Sequence, residues 1–185
     1  MSNRILASVL TGLLLTAAWN CHAQGPELAK PTKEHELLAQ FAGEWNCTAE
    51  TVPAPGQEPF KCEGTESAKM VGGLWLVSEG KASPGGMPVT SQLTVGYNVA
   101  SKKYVGNFFC TADTTLWQYT GSMDDSGKKL TLLTEGPSPL DPTKRAKFRE
   151  TLELKDKDLK TFTSEMQNED GSWLTFVKME YRRKK

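Results

Sequence analysis

Short strand-like segments separated by turns fill the chain from Gly43 to its end, and this pattern limits the fold more than any other feature. Stretches such as PAPG, SPGGMP, DDSGKK and NEDGS place Gly, Pro, Asn and Asp where the chain must reverse. These turns divide the chain into about ten predicted strands. Their predicted bounds are Glu44–Val52, Pro59–Lys69, Leu74–Ala82, Val89–Tyr97, Tyr104–Cys110, Thr114–Ser122, Lys129–Glu135, Ala146–Lys155, Leu159–Met166 and Ser172–Arg182.

The connections between these segments determine how the strands pair. A parallel pair needs a long crossover connection, and no helical segment of that length follows Gly43. The strands are therefore expected to pair as an antiparallel up-and-down meander. Closure into a barrel removes both exposed edges, and a barrel of roughly eight or more strands can enclose one small ligand. We predict an all-β barrel of about ten strands, with one short N-terminal helix over TKEHELLAQFAG.

The N-terminal residues predict export. Arg4 precedes an apolar run, and small residues follow up to Ala23, as in a secretory signal peptide. We predict a signal peptide over residues 1–23, a flexible leader over 24–33 and a single barrel domain over 34–185, in a periplasmic or secreted protein. No second apolar run is long enough to span a membrane. The 22 basic and 22 acidic residues balance, so charge does not indicate binding to nucleic acid.

The helix, Gly43 and Trp45 occur in the order seen at the start of lipocalin-type barrels. The chain resembles that calycin-like superfamily, in which the tryptophan packs at the closed end and an arginine from a late strand crosses the indole. This resemblance implies structural roles for Gly43 and Trp45, and for Arg182 or Arg183 in MEYRRK.

The chain from about His35 to Arg183 also resembles the family of exported bacterial proteins named domain of unknown function 1579. The resemblance rests on HELLAQFAGEW, ESAKMVGGLWLVSEG, LTVGYN, YVGNFF, TTLWQYTGSMDDSGKKLTL, KFRETLEL and VKMEYRRK. It implies membership and no activity.

The cysteines suggest a disulfide rather than a metal site. Cys47 and Cys62 lie symmetrically about PAPG, so a hairpin would place their sulfurs opposite each other, and export would allow the bond. Cys110 is expected to be a small buried side chain. His35 is the only histidine after the predicted cleavage, and we expect it to be partly exposed. We predict no metal, no cofactor and no catalytic residue.

The candidate ligand-binding residues are polar and aromatic side chains within strands. Alternation places Glu150 on the apolar face of KFRETLEL, where an arginine partner is expected. Glu79 is ambiguous in its face. Fatty-acid-binding barrels hold a carboxylate with an arginine and a tyrosine on the last strand, which the pair Tyr181 and Arg183 resembles, although Arg183 could instead cover Trp45. Trp117 could line a pocket or fill the core.

The function predicted from these residues is non-enzymatic binding of a small apolar or amphipathic molecule inside an exported barrel. Two alternatives remain open at this stage. The barrel carboxylates could serve as acid and base in an enzyme, or they could form a structural ion-pair network in a filled barrel that acts through its surface. The sequence does not indicate an oligomeric state.

Overall fold

Ten antiparallel strands close into a barrel in the computed structural model, which describes residues 28–51, 60–139, 141 and 143–185. One helix precedes the strands, and each strand pairs with its neighbours in sequence while the first pairs with the last. The bounds are α1 Lys33–Ala39, β1 Gly43–Thr51, β2 Lys61–Val71, β3 Trp75–Ala82, β4 Val89–Asn98, β5 Lys103–Cys110, β6 Trp117–Met123, β7 Lys129–Pro137, β8 Arg145–Leu154, β9 Leu159–Gln167 and β10 Trp173–Arg183. The predicted fold is confirmed.

The predicted signal peptide and most of the predicted leader lie outside the described residues. No helix in the described part of the chain is long and apolar enough to cross a membrane. The export signal and the cleavage site therefore remain predictions.

Alternation along the strands, interrupted by a bulge between Thr175 and Val177 in β10, forms the barrel interior. In β8, Phe148, Glu150, Leu152 and Leu154 are buried and point inward, while the residues between them face outward. The most enclosed part of the core lies at the end beside α1, which we call the closed end. Its fully buried side chains include Leu38, Phe41, Trp45, Val95 and Leu130. The connections β3–β4, β5–β6 and β9–β10 lie at the opposite end.

Trp45 is the centre of the closed end. Its indole is fully buried, and the Arg183 guanidinium lies 4.0 Å from the centre of the ring. Arg183 also donates hydrogen bonds to the carbonyls of Ala42, at 2.9 Å, and Lys157, at 2.8 Å. Gly43 has a φ of 138°, and a Cβ at this position would overlap the Arg183 guanidinium. Only glycine therefore allows the chain to pass from helix to strand under this arginine.

The structure corrects the prediction for Arg182. Its side chain is largely exposed and pairs with Glu180 at 2.8 Å on the outer face of β10. Because side chains alternate along a strand, only one of two adjacent arginines can reach the indole, and that residue is Arg183.

His35 is buried, not partly exposed as expected. Its Nδ1 accepts a hydrogen bond from the backbone N–H of Thr32 at 3.0 Å, and its ring meets Tyr97 edge-on at 5.8 Å. The histidine therefore caps α1 and packs the helix against β4.

The predicted disulfide is corrected by the strand register. Cys47 lies opposite Gly64, and Cys62 lies opposite Ala49, so the two cysteines are offset by two residues rather than directly opposed. Both thiols are free, and burial raises the pKa of Cys47 to about 11. Cys110 is also free and is half-buried.

Trp45→Ala should lower the free energy of unfolding by about 3–5 kcal/mol, because truncation of a buried aromatic side chain leaves a cavity. Trp75→Ala is the matched control, since Trp75 is 42% exposed on the outer face of β3. Trp75→Ala should lower the free energy of unfolding by no more than about 1 kcal/mol. Urea unfolding measures both, and equal losses for the two variants would contradict the role assigned to Trp45.

Candidate functional site

The five residues predicted to bind a ligand do not form one site. Glu79 faces outward, is half exposed and pairs with Lys81 at 2.8 Å. Arg183 covers Trp45 at the closed end. Both predictions are therefore corrected, and Trp117, Glu150 and Tyr181 remain as inward-facing candidates.

Tyr181 belongs to a charged cluster at the closed end. Its neighbour Lys160 on β9 is 1% exposed and pairs with the carboxylate of Glu66 from β2. The Lys160 ammonium lies 4.5 Å from the Trp45 ring centre and 4.8 Å from that of Tyr181, and it donates to the carbonyl of Phe41 at 3.4 Å. Burial lowers the pKa of this lysine, while the Glu66 carboxylate opposes that shift.

This cluster is enclosed and its charges are paired, while the buried indole nitrogen of Trp45 makes no hydrogen bond. The Tyr181 hydroxyl donates to the sulfur of Met179 at 3.3 Å, and burial raises the pKa of the phenol. Lys160 has an acid, a carbonyl and two aromatic rings around it, so its charge is compensated within the fold. The cluster therefore stabilises the closed end and ties it to the chain that follows α1.

Glu150 is different, because half of its carboxyl group has no partner. The residue is buried on β8, and the Ser164 hydroxyl donates to its Oε1 at 2.8 Å from β9. Its Oε2 is buried and makes no hydrogen bond. Burial raises the pKa of Glu150 to about 7, Ser164 moderates the shift, and the charge of Glu165 adds to it.

The arginine partner expected for Glu150 is absent from the described residues. Arg149 points to the outer face, where it donates to Glu165 at 2.7 Å and lies 4.4 Å from the ring centre of Trp173. The interior carboxyl therefore has a serine as its hydrogen-bond donor and lacks a counter-ion.

Inward-facing side chains from four strands surround Glu150. We call this group of side chains the Glu150 chamber and define it by Tyr119 of β6, Thr134 of β7, Phe148 and Glu150 of β8, and Ser164 of β9. The Thr134 hydroxyl is a second buried polar group without a hydrogen-bond partner. Burial and the nearby Glu150 charge raise the pKa of the Tyr119 phenol well above its ordinary value.

Aromatic rings continue from the chamber toward the turns at the far end. Phe148 meets Trp117 edge-on at 5.0 Å and Phe176 at 6.0 Å. The chamber therefore combines an aromatic wall with two unsatisfied polar groups, which is the composition typical of small-molecule sites.

The chamber adjoins a gap in the barrel wall. Among the described residues, β6 and β7 pair only from Thr120–Leu133 to Met123–Leu130. Beyond that point the strands separate around a cleft of about 630 Å³. Its lining includes Tyr119, Thr134 and Phe148, which face inward. The cleft therefore reaches three of the side chains of the Glu150 chamber from the outer surface, and Glu150 itself is not part of its lining.

Trp117 stands beside this gap. Its indole packs so closely over Gly136 that a Cβ on that residue would overlap the ring. Glycine at 136 therefore lets the indole lie between the two separated strand ends.

The chemistry available in the chamber is hydrogen bonding and proton exchange. No group of three or more metal-ligating side chains occurs in the described part of the chain. Sequence reasoning missed Lys160, Ser164 and Thr134. Alternation with Phe162 and Met166 could have placed Lys160 and Ser164 on the inner face of β9.

Glu150 should make the protein less stable as pH rises. Its folded-state pKa of about 7 lies above the ordinary 4.5, so the folded chain holds more protons between these values. Glu150→Gln removes this dependence and should gain about 3 kcal/mol relative to the original chain between about pH 4.5 and pH 7.5. Urea unfolding at several pH values measures the difference. A difference that stays constant with pH would contradict the raised pKa.

Replacing one partner of the Lys160–Glu66 pair should destabilise the protein more than is expected from its share in the replacement of both partners. Lys160→Met or Glu66→Gln alone should each lose about 3–5 kcal/mol of unfolding free energy, because one charge stays buried without its partner. The double variant Lys160→Met with Glu66→Gln should lose much less than the sum. The same cycle on the exposed pair Lys81 and Glu79 is the control and should show no coupling. Additive losses at the buried pair would contradict the assignment.

Solved structures with this barrel support the fold. The crystal structure of Rv2717c from M. tuberculosis superposes with a TM-score of 0.58 at 14% identity, covering 84% of this chain and 100% of the other. The S-type phycobiliprotein lyase CPES from Guillardia theta superposes with a TM-score of 0.54 at 13% identity, covering 81% of this chain and 92% of the other. At these identities the likeness concerns the fold alone. No curated protein matches the sequence.

The family comparison extends over nearly the whole barrel. Residues 30–183 match the family described as "Protein of unknown function (DUF1579)", which confirms the resemblance seen in the sequence motifs. The match includes α1 and all ten strands. The chain therefore belongs to the DUF1579 family.

Proposed function

We propose that the protein binds a small, mostly apolar or amphipathic molecule in the Glu150 chamber. The observation that carries this proposal is the buried Glu150 carboxyl with one oxygen unpaired, in a group of side chains of which Tyr119, Thr134 and Phe148 also line a cleft. The protein is proposed to act as an exported binding module, periplasmic or secreted, in keeping with its predicted signal peptide.

The energetics of the chamber support a ligand. A buried polar group without a hydrogen bond costs about 1–3 kcal/mol, and Glu150 and Thr134 each carry one such atom. A ligand polar group placed between them would form the missing bonds. The rings of Phe148 and Trp117 would cover its apolar part.

The cleft between β6 and β7 supplies the route of entry. The closed end is filled by the Trp45 and Lys160 cluster, so a ligand cannot approach Glu150 from that side. The gap opens directly onto Tyr119, Thr134 and Phe148. A modest movement of the Trp117 indole would widen it.

The structural neighbours are consistent with this proposal. One of them is a phycobiliprotein lyase, so a barrel of this shape occurs in a protein named for an activity. The substrate of that protein is not carried over, because 13% identity supports the fold alone.

An enzyme that moves a proton is the second candidate. The observation that favours it is the Glu150 pKa of about 7, which suits a general acid or base at neutral pH. The chamber residues do not include a histidine, a lysine or a second carboxyl, so the binding role has the stronger support.

Dye binding tests the proposed site. Nile red is a neutral apolar dye, and it should bind saturably to the mature protein with one dye per chain. Thr134→Phe fills the chamber and should weaken dye binding at least about ten-fold, a loss of about 1.4 kcal/mol. Thr131→Phe, on the outer face of the same strand, is the matched control and should leave the affinity unchanged.

Either of two results would contradict the proposal. One is the absence of saturable Nile red binding by the folded protein, and the other is equal weakening by Thr134→Phe and Thr131→Phe. Native mass spectrometry of protein purified gently from exported fractions complements the dye. A discrete added mass that is released unchanged on denaturation would identify a bound molecule and separate a carrier from an enzyme.

A further inference from the structure

The charges around Glu150 restrict the chemical class of the molecule that the chamber can hold. The residues near Glu150 are Tyr119 from β6, Ser164 from β9 and Tyr181 from β10, with Leu132 directly opposite on β7 and Thr134 two residues further along that strand. All of these are neutral at physiological pH. Glu165, on the outer face of β9, contributes a further negative charge.

The cations on the strands that flank Glu150 are committed to other carboxylates, while Lys147 lies at the outer cleft opposite Glu135 in the strand register. Lys160 is held by Glu66 at the closed end, and Arg149 is held by Glu165 on the outer face. No lysine or arginine within the described ranges pairs with Glu150. The chamber therefore has a site for one positive charge and no residue that supplies it.

The aromatic wall favours the same sign of charge. The rings of Tyr119, Phe148, Trp117 and Phe176 line the chamber and its upper side. The face of an aromatic ring attracts a cation, and the attraction increases where water is excluded. A carboxylate or phosphate would meet the opposite conditions, because it would face both the Glu150 carboxylate and the negative ring faces.

We infer that the Glu150 chamber selects amphiphiles whose polar head is a protonated amine and whose body is apolar. This inference rests on the proposed function and specifies the class of ligand for the same site. The ammonium head would donate a hydrogen bond to the unpaired Oε2 of Glu150 and a second to the hydroxyl oxygen of Thr134. The apolar body would lie against Phe148 and Trp117 and extend into the cleft.

The inference requires a particular dependence on pH. A cation favours the ionised form of Glu150, so binding releases a proton and the affinity increases as pH rises. Since the pKa of the free carboxyl is about 7, the affinity should increase through neutrality and level off above about pH 8. The amine itself stays protonated over this range, because its pKa resembles that of lysine.

Three probes with the same body and different heads test the inference. Phenylbutylamine, phenylbutanol and phenylbutyrate each compete with Nile red on the mature protein. At about pH 8 the amine should bind at least about ten-fold more tightly than the alcohol or the acid, which corresponds to about 1.4 kcal/mol. Between about pH 8 and pH 5.5 the amine should lose at least about ten-fold in affinity, while the affinity of the alcohol stays constant.

Two isosteric variants assign the effect to Glu150. Glu150→Gln should abolish both the preference for the amine and its pH dependence. Glu79→Gln removes an exposed carboxylate on the outer face and should leave both unchanged. The affinity of each variant for a probe is calculated from the displacement of Nile red, with the affinity of that same variant for Nile red as the reference.

The outcomes separate this inference from the proposed function. If Nile red binds but the amine shows no advantage, or the acid binds best, the cationic class is wrong and the binding site stands. If the amine preference survives in Glu150→Gln, the assignment to this carboxyl is wrong. If the folded protein binds none of the probes and no dye, the proposed function fails together with the inference.

Discussion

The pairing of β1 with β10 is the contact on which the rest of the structure depends. It closes the sheet, removes both edges and creates an interior that water does not reach freely. It also places Trp45 opposite Arg183 and Cys47 opposite Tyr181, so the first and last strands build the closed end together. The tryptophan and the charged cluster act at this seam, while the helix packs against β3 and β4 beside it.

The closed interior gives its two buried carboxylates different roles. Glu66 has a complete set of partners, because Lys160 neutralises it and two aromatic rings enclose the ammonium. Glu150 has one serine donor and one bare oxygen. A buried charge must be paired or neutral, so the first carboxylate is satisfied by the fold and the second is satisfied only by a proton or a bound group. This difference separates the part of the barrel that stabilises the fold from the part that is proposed to bind a ligand.

Much of the fold could be predicted from the sequence, because it depends on local patterns. The turn sequences marked the ten strands, and alternation placed Glu150 on the inner face. Details that depend on pairing between strands could not be predicted. A register shift of two residues places Cys47 opposite Gly64 rather than Cys62. The register between two strands cannot be inferred from the local sequence of either strand.

The candidate site was less predictable for the same reason. A bulge between Thr175 and Val177 reverses the alternation in β10, so Trp173 faces outward although the unbroken pattern placed it on the face of Val177. Long side chains add a second difficulty, because Arg183 reaches from the end of a strand to Trp45 and is no longer available to a ligand. The gap between β6 and β7 arises where the two strands do not pair, and the residue types of either strand do not indicate this.

The carbon-13 NMR signal of the Glu150 side-chain carboxyl tests the central claim most directly. Followed through a pH titration and assigned with Glu150→Gln, this signal should show a midpoint near 7 in the free protein. Saturation of the chamber with phenylbutylamine should shift that midpoint to lower pH, since the ammonium stabilises the carboxylate. A midpoint near the ordinary 4.5, unchanged by the amine, would show that Glu150 is solvated or already paired, and would contradict the account of an unpaired carboxyl in a binding chamber.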